Sequence, residues 1–419
     1  VQNQKEKREM HMTLIRPLRA LRPVPTRCRE VIASPYDTLS SAEARQRANG
    51  KPWSFLHVSR AEIDLPEGTD PYGKAVHATA AENLERMIGE GVLMRDANPH
   101  CYAYRVTWQG GRQTGLACIA SLADYTSGRI RRHAPTTPAK EQDRVDQIEA
   151  LDLQSGPVTM AYPHAPELDT LLKRLTERDP DVAVTADDDV THQLWVIGDA
   201  PVIEELTQRF DALPALYIAV GHHRAAAAAR VAAARGGQGE GAHGYVLSVI
   251  FPHHEMTILD CNRVVRDLNG RTPEQLLAEI EARFAVVASS SPVRPAAAPE
   301  FGMFLGGRWY RLRLTSELVP DKDPIGRLAI TLLHRNLIEP VLGVTDPAND
   351  GRIDFVGGGR GLGELERRVN SGEMAVAFAL FPTTMDDLMA VADAGLVVPP
   401  RSTWFEPQLA DGMLCHVLD

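Results

Sequence analysis

The sequence predicts a mixed α/β (α+β) fold: a central mixed sheet, a strand-turn-helix element suited to phosphate, and a C-terminal α/β portion. Three observations lead there: β-rich runs interspersed with helix-forming stretches, a hairpin signature around Gly110-Gly111, and an abrupt switch from strand to helix at Gly221. At 419 residues, 44% hydrophobic and 24% charged, the chain has ordinary globular composition and length for two or three domains. The expected division is a charged leader over residues 1–12, lying outside the fold, an N-terminal and central α/β region over 13–295, and a C-terminal α/β region over 296–419.

Residues 102–108 and 114–121 are β-rich runs flanking Gly110-Gly111, the pattern of a tight hairpin. Thr137 followed by Pro138 is a good helix cap and first position, and residues 139–151 lack breakers, so a helix starts there. An apolar run over 216–220, then Gly221, then an alanine-rich stretch to Gly236-Gly237 reads as strand, tight turn and helix. Strands are expected over 245–251 and 256–259. Thr272 and Pro273 open an amphipathic helix whose apolar face carries Leu276, Leu277, Ile280 and Phe284. Residues 289–299 break all periodicity, as an interdomain linker or as a loop before strands at 301–304 and 309–314. Beyond residue 325, helical patterns alternate with short strands at 353–356 and 376–381.

Composition excludes several classes. The five cysteines are scattered, with no C-x-x-C pair, so neither a disulfide framework nor a zinc ribbon is supported, and a reducing cytoplasm is the expected location. No apolar run approaches the ~20 residues of a membrane span. A formal net charge of -10 disfavours nucleic-acid binding through bulk charge, so any anion site must be local.

The most informative local site is Gly221-His222-His223-Arg224. A helix N-terminus carries about half a positive charge, so cations in its first turn are unfavourable unless an anion sits among them. A phosphate would reverse the sign, with Gly221 allowing close approach and Arg224 forking two oxygens. The alternative is a histidine-rich helix start facing water, or a satisfied core histidine. A metal reading is weaker, because adjacent histidines on a helix diverge by about 100°. Lys140 and Arg144 form a second cationic pair at i, i+4 spacing, to be neutralised either by a shared anion or by Glu141 and Asp143 on a solvated face. Gly357 to Gly363 fails the dinucleotide-binding spacing and reads as a strand-to-helix turn. His253-His254-Glu255 reads as a surface turn, Asp187-Asp188-Asp189 as a solvated loop, and no residue set is assigned to a metal.

Together these segments resemble the bacterial and archaeal family called domain of unknown function 1015, over nearly the whole chain. The resemblance rests on Ser34-Pro35-Tyr36-Asp37, on Ser54-Phe55-Leu56-His57-Val58-Ser59-Arg60, and on His133 through Arg144, similar to the family's H-E-x-T and K-E-x-D-R. It rests also on Gly221-His222-His223-Arg224, similar to A-D-G-H-H-R, and on residues 399–407. The G-H-H-R turn further resembles that of the ParB and sulfiredoxin-like group, which includes nucleotide-dependent kinases of free serine.

The resemblance implies ATP or ADP with Mg²⁺ as cofactors and a small-molecule acceptor. Gly221, His222, His223, Arg224, His133, Lys140 and Arg144 would hold nucleotide phosphates, and Tyr36, His57 and Arg60 the small substrate. Where the family carries acids this chain has Ala134 and Val220, so Asp37, Glu141 and Asp143 are the remaining candidates for catalysis, and turnover is expected to be impaired. A non-catalytic nucleotide-binding regulator and a metal-dependent phosphohydrolase are the alternatives. No membrane partner is expected, nucleic acid is disfavoured, and a homodimer stays open.

Overall fold

The structure, a computed structural model, describes residues 13–237 and 241–419, so the leader expected over residues 1–12 lies outside it. The chain divides into two compact units. The first contains the described residues through Arg131, together with Pro135–Met256 and Pro407–Asp419; the second contains Arg132–Ala134 and Thr257–Glu406. The crossing thus falls after Met256, ahead of the boundary expected at residue 295. Residues 290–299 form a loop inside the second unit, because the strands on either side of them, Phe284–Ser289 and Glu300–Leu305, both pair with Arg308–Leu314.

The first unit is built on a nine-stranded sheet. Its strands are β1 (Ile15–Arg16), β2 (Cys101–Trp108), β3 (Gly111–Ser121), β4 (Ile130–Arg131), β5 (Val158–Tyr162), β6 (Val182–Thr185), β7 (Thr191–Ile197), β8 (Leu216–Val220) and β9 (Tyr245–Pro252). They lie in the order β4-β8-β5-β9-β3-β2-β7-β6, with β1 on β3. The β4–β8 and β5–β9 pairs are parallel, whereas β8–β5 and β9–β3 are antiparallel, so the sheet is mixed as expected. Trp108 pairs with Gly111, which leaves Gln109-Gly110 as the two-residue hairpin loop.

Side chains alternate across this sheet with the period of two that a strand imposes. Cys101 and Ala103 pack with Met160, Ile218, Leu172 and Phe210 on one face. Tyr102, Tyr104 and Val106 pack with Leu247, Val249 and Met413 on the other. Four helices of this unit matter for the site: α1 (Lys74–Gly89), α2 (Pro138–Leu151), α3 (Pro166–Leu175) and α4 (His222–Ala234). α2 packs against both α1 and α4. The buried Ala227, Ala228 and Ala232 of α4 have no bulk to hold its neighbours off.

The C-terminal segment returns to this unit. His416–Val417 pairs with Leu153–Gln154, and single bridges join Cys415 to Leu21 and Asp411 to Ala33. This lacing brings Asp411 beside the N-terminal loop that carries Tyr36.

The second unit holds a six-stranded sheet of β10 (Cys261–Val265), β11 (Phe284–Ser289), β12 (Glu300–Leu305), β13 (Arg308–Leu314), β14 (Ile353–Gly357) and β15 (Val376–Leu380), in the order β11-β13-β12-β15-β10-β14. Helix α5 (Pro273–Ile280) has the expected Thr272 cap, completed as a capping box by Gln275. Phe284 differs from expectation: it opens β11 opposite Leu314 instead of closing the helix. Its apolar position fits either element, since both bury it in the same core with Leu276 and Ile280. Among the described residues no helix is long and apolar enough to cross a membrane.

Candidate functional site

At Gly221 the chain passes from β8 into α4 with a φ of +100°, which L side chains rarely adopt. A Cβ here would also lie 3.2 Å from Arg224 Nε and 3.3 Å from Val158 Cα. Both constraints select glycine. Arg224, one turn into the helix, folds back so that a guanidinium nitrogen donates to the Pro157 carbonyl and the group stands 3.9 Å from the Asp37 carboxylate. Its Nε is buried without a hydrogen-bond partner.

His223 accepts the backbone N–H of Thr137 on Nε2 at 3.0 Å, which places the imidazole proton on Nδ1. Burial and the nearby Lys140 hold its pKa below the ordinary value, so the ring is neutral at pH 7. The cationic helix start read from the sequence is therefore relieved in part by the chain's own groups. What is left over is the unpartnered Nε of Arg224.

The ring of Tyr36 lies under two guanidinium groups, with Arg144 Cζ 4.3 Å and Arg224 Cζ 5.8 Å from its centroid. Arg60 fixes the loop that presents this ring, donating to the carbonyls of Tyr36 at 3.1 Å and Leu39 at 3.0 Å and, through Nε, to Glu62 at 2.7 Å. Arg144 in turn donates to Asp143 from Nε at 2.9 Å, and Asp143 also bonds His77 at 3.1 Å.

Two buried carboxylates of this region are driven in opposite directions. Burial would raise Asp143, but the His77 hydrogen bond and the Arg144 charge outweigh it and hold the carboxyl below the usual range. Burial pushes Asp411 up to about 7, against the Arg224 guanidinium and with the charge of Asp37 adding to the rise. Gly156 makes room for this arrangement, since a Cβ there would lie 3.3 Å from Arg224 Nη1 and 3.4 Å from Asp411 Oδ1.

A cavity of about 250 Å³ opens beside the stack. Of the residues singled out in the sequence, Tyr36, Asp37, Arg60, Lys140, Asp143, Arg144 and His223 line it. Arg224 borders a smaller adjoining space together with Tyr36 and Arg144. Other candidates lie elsewhere. His57 bonds both oxygens of Asp64 at 2.9 Å and does not line the cavity. Glu141 pairs with Arg230 and accepts from Thr136. His222 is buried in the first turn of α4. His133 belongs to the second unit, where its carbonyl accepts the Val398 N–H at 2.8 Å.

Sequence reasoning missed Glu62, His77 and Asp411. Asp411 did leave a signal: it is the one carboxylate in the otherwise apolar run 409–415. His77 and Glu62 left none, for each sits in a segment of ordinary mixed composition.

The fold and its strand-turn-helix site define an α/β protein with an electropositive turn over a small cavity. The chain belongs to the family of proteins of unknown function DUF1015, whose profile matches residues 15–338. No curated protein matches the chain. Solved structures similar to it include a free serine kinase in complex with AMP, at 12% identity, a TM-score of 0.33, and coverage of 69% of this chain and 86% of that one. A conserved hypothetical protein from Pyrococcus furiosus matches at 13% identity and a TM-score of 0.34, covering 70% and 93%. SbnI from Staphylococcus aureus, with a C-terminal truncation, matches at 13% and 0.35, covering 70% and 84%.

Proposed function

We propose that the first unit binds a nucleotide by its phosphates at the Gly221 turn and belongs to a lineage that transfers a phosphoryl group to a small hydroxyl compound, free serine foremost. The observation that carries this reading is the convergence of Arg144 and Arg224 on Tyr36, next to a helix N-terminus and with a buried Arg224 Nε left without a partner. Burying an unsatisfied donor on a charged group costs about 1–3 kcal/mol or more, and a phosphate oxygen would remove that cost.

The cavity volume divides the labour. About 250 Å³ is below the ~300–1,000 Å³ of clefts that enclose drug-sized ligands, so it suits an amino-acid acceptor or a phosphate tail rather than a whole nucleotide. In the transfer, the acceptor hydroxyl gives its proton to a carboxylate, its oxygen bonds the terminal phosphorus, and the nucleotide leaves one phosphate shorter.

Three carboxylates line the cavity, and two are committed. Glu62 accepts from Arg60 and Ser41, and Asp143 from His77 and Arg144. Asp37 makes no hydrogen bond among the described residues and is our base. One carboxylate cannot both take the proton and ligate a cation, so the donor set fits Mg²⁺ poorly, and slow turnover follows from that shortage.

Calorimetric titration with ATP and ADP tests the reading. Arg224→Ala should weaken binding by ~1.5–3 kcal/mol, the range for a charged hydrogen-bonding group. Unchanged affinity in that variant would move the site elsewhere. A regulator that binds without turnover is the second reading, favoured by the half-buried apolar Val220 at the end of β8, where the resembling motif carries an acid. Nucleotide binding with no phosphoserine formed would select it.

A further inference from the structure

The geometry points to a second site on the first unit, formed by His164, Asp169 and His254, that takes a divalent transition metal of the zinc class. None of the three lines the cavity described above. One donor atom from each lies within 4.8 Å of the other two.

Strand pairing explains why these residues meet. β5 and β9 are parallel neighbours in a register that sets Tyr162 opposite Pro252. Two residues beyond that pair, each strand end delivers a histidine, His164 from one and His254 from the other. Their rings stand 6.0 Å apart at 68°. Asp169 comes from the first turn of α3, which leads the chain back over the strand ends.

The carboxylate is already oriented. The hydroxyl of Tyr162, a fully buried side chain, donates to Asp169 Oδ1 at 2.6 Å. Oδ2 is left 3.9 Å from His254 Nε2, an ion-pair distance with no hydrogen bond formed. Outer hydrogen bonds of this kind fix metal-binding side chains in place. The turn that carries His254 is pinned as well, since Glu255 accepts the Thr114 N–H at 2.6 Å. Neither His164 nor His254 makes a hydrogen bond among the described residues, so their nitrogens are available.

Ligand chemistry names the ion. Two imidazoles and one carboxylate suit Zn²⁺ and its neighbours Co²⁺ and Ni²⁺, whereas Mg²⁺ and Ca²⁺ prefer all-oxygen shells. Zn–N bonds of about 2.0–2.1 Å put tetrahedral ligand atoms roughly 3.3 Å apart, a closure within reach of two exposed imidazoles turning about their side-chain bonds. Three protein ligands leave the fourth position to water or to an oxygen of a ligand.

The full chain, stripped with a chelator, is titrated with zinc sulfate by calorimetry and with cobalt(II) by absorbance. One saturable equivalent of zinc and the visible spectrum of four-coordinate cobalt are expected. His164→Ala and His254→Ala should each weaken zinc binding at least tenfold, and Tyr162→Phe by about 10- to 100-fold, the range for an outer-shell partner. His57→Gln, outside the cluster, is the control and should leave affinity unchanged. The proposal is overturned if the two histidine variants retain the parent's affinity and stoichiometry while keeping its circular dichroism, or if excess Mg²⁺ displaces the zinc.

Discussion

The carboxylate of Asp411 accepts the backbone N–H of Tyr36 at 2.9 Å, joining residues 375 positions apart. The chain thus closes its site with a segment that follows the whole second unit, and puts a buried acid beside the Arg224 guanidinium. Asp411 supplies the site with a charge that depends on pH.

That dependence has a definite sign. The folded protein holds Asp411 at about 7 against an ordinary 3.8, so between these values it keeps a proton that the unfolded chain releases. The contribution to stability is complete below about pH 4 and is lost as pH rises through 7, a span on the order of 4 kcal/mol. Asp411→Asn keeps an acceptor for the Tyr36 N–H and removes the titration. Denaturant unfolding at several pH values should therefore show the variant gaining on the parent as pH climbs from 5 to 8. A constant difference over that range would mean that Asp411 does not titrate there.

Local elements were legible in the sequence because their causes are local. Gly110-Gly111, Pro138 and Gly221 each act within a few residues, and a hairpin, a helix and a strand-turn-helix appear at them, although the hairpin loop itself is Gln109-Gly110 and the Thr137 side chain makes no capping hydrogen bond. The tertiary assignments were harder to read. His57 carries the same ring as His223, yet it is spent on Asp64, and only the folded chain distinguishes them. Asp411 and Arg224 are separated by the long segment Thr257–Glu406 of the second unit, and His164 and His254 by several strands and helices, so no spacing rule connects either pair. The boundary near residue 295 was misplaced for a related reason, because a Pro- and Ser-rich loop inside a sheet has the composition of a linker.

Gly221→Ala should be costly in spite of its small size. The backbone sits at φ +100°, and the added Cβ would press on Val158 Cα at 3.3 Å and Arg224 Nε at 3.2 Å. Strained positions of this kind cost about 1–3 kcal/mol. Chemical denaturation should register that loss, and nucleotide titration should show a further weakening, because Arg224 must move. Wild-type stability and affinity together would mean that the turn relaxes without consequence for the site.

Charge and shape at the stack are separable by Arg144→Lys. Lysine keeps the positive charge but gives up the planar contact with Tyr36 and the fork on Asp143. A stacked cation contributes about 0.5–2 kcal/mol, so nucleotide affinity should drop by roughly 2- to 30-fold while the salt dependence of binding stays the same. If lysine binds as tightly as arginine, the site needs only the charge, and Tyr36 has no part in holding the phosphates.

The final prediction concerns Val220, the position in the first unit where this chain lacks an acid of the resembling motifs; the other such position, Ala134, belongs to the second unit. Val220 is half-buried and ends β8 where its pairing with β5 is already irregular, so a carboxylate there need not disturb the core. Asp37 is the one acid lining the cavity that makes no hydrogen bond among the described residues, and a transfer that needs both a base and a cation ligand is short of one group. A positioned base is typically worth 10² to 10⁴ in rate, which is the size of the deficit expected in the parent chain. Val220→Asp, assayed for phosphoserine formation from ATP or ADP and serine, should raise the rate by at least about tenfold while leaving the affinity for nucleotide within a few-fold of the parent. Equal rates in the two proteins would show that the shortage lies elsewhere, and would leave Asp37 and its neighbours to account for whatever turnover is seen.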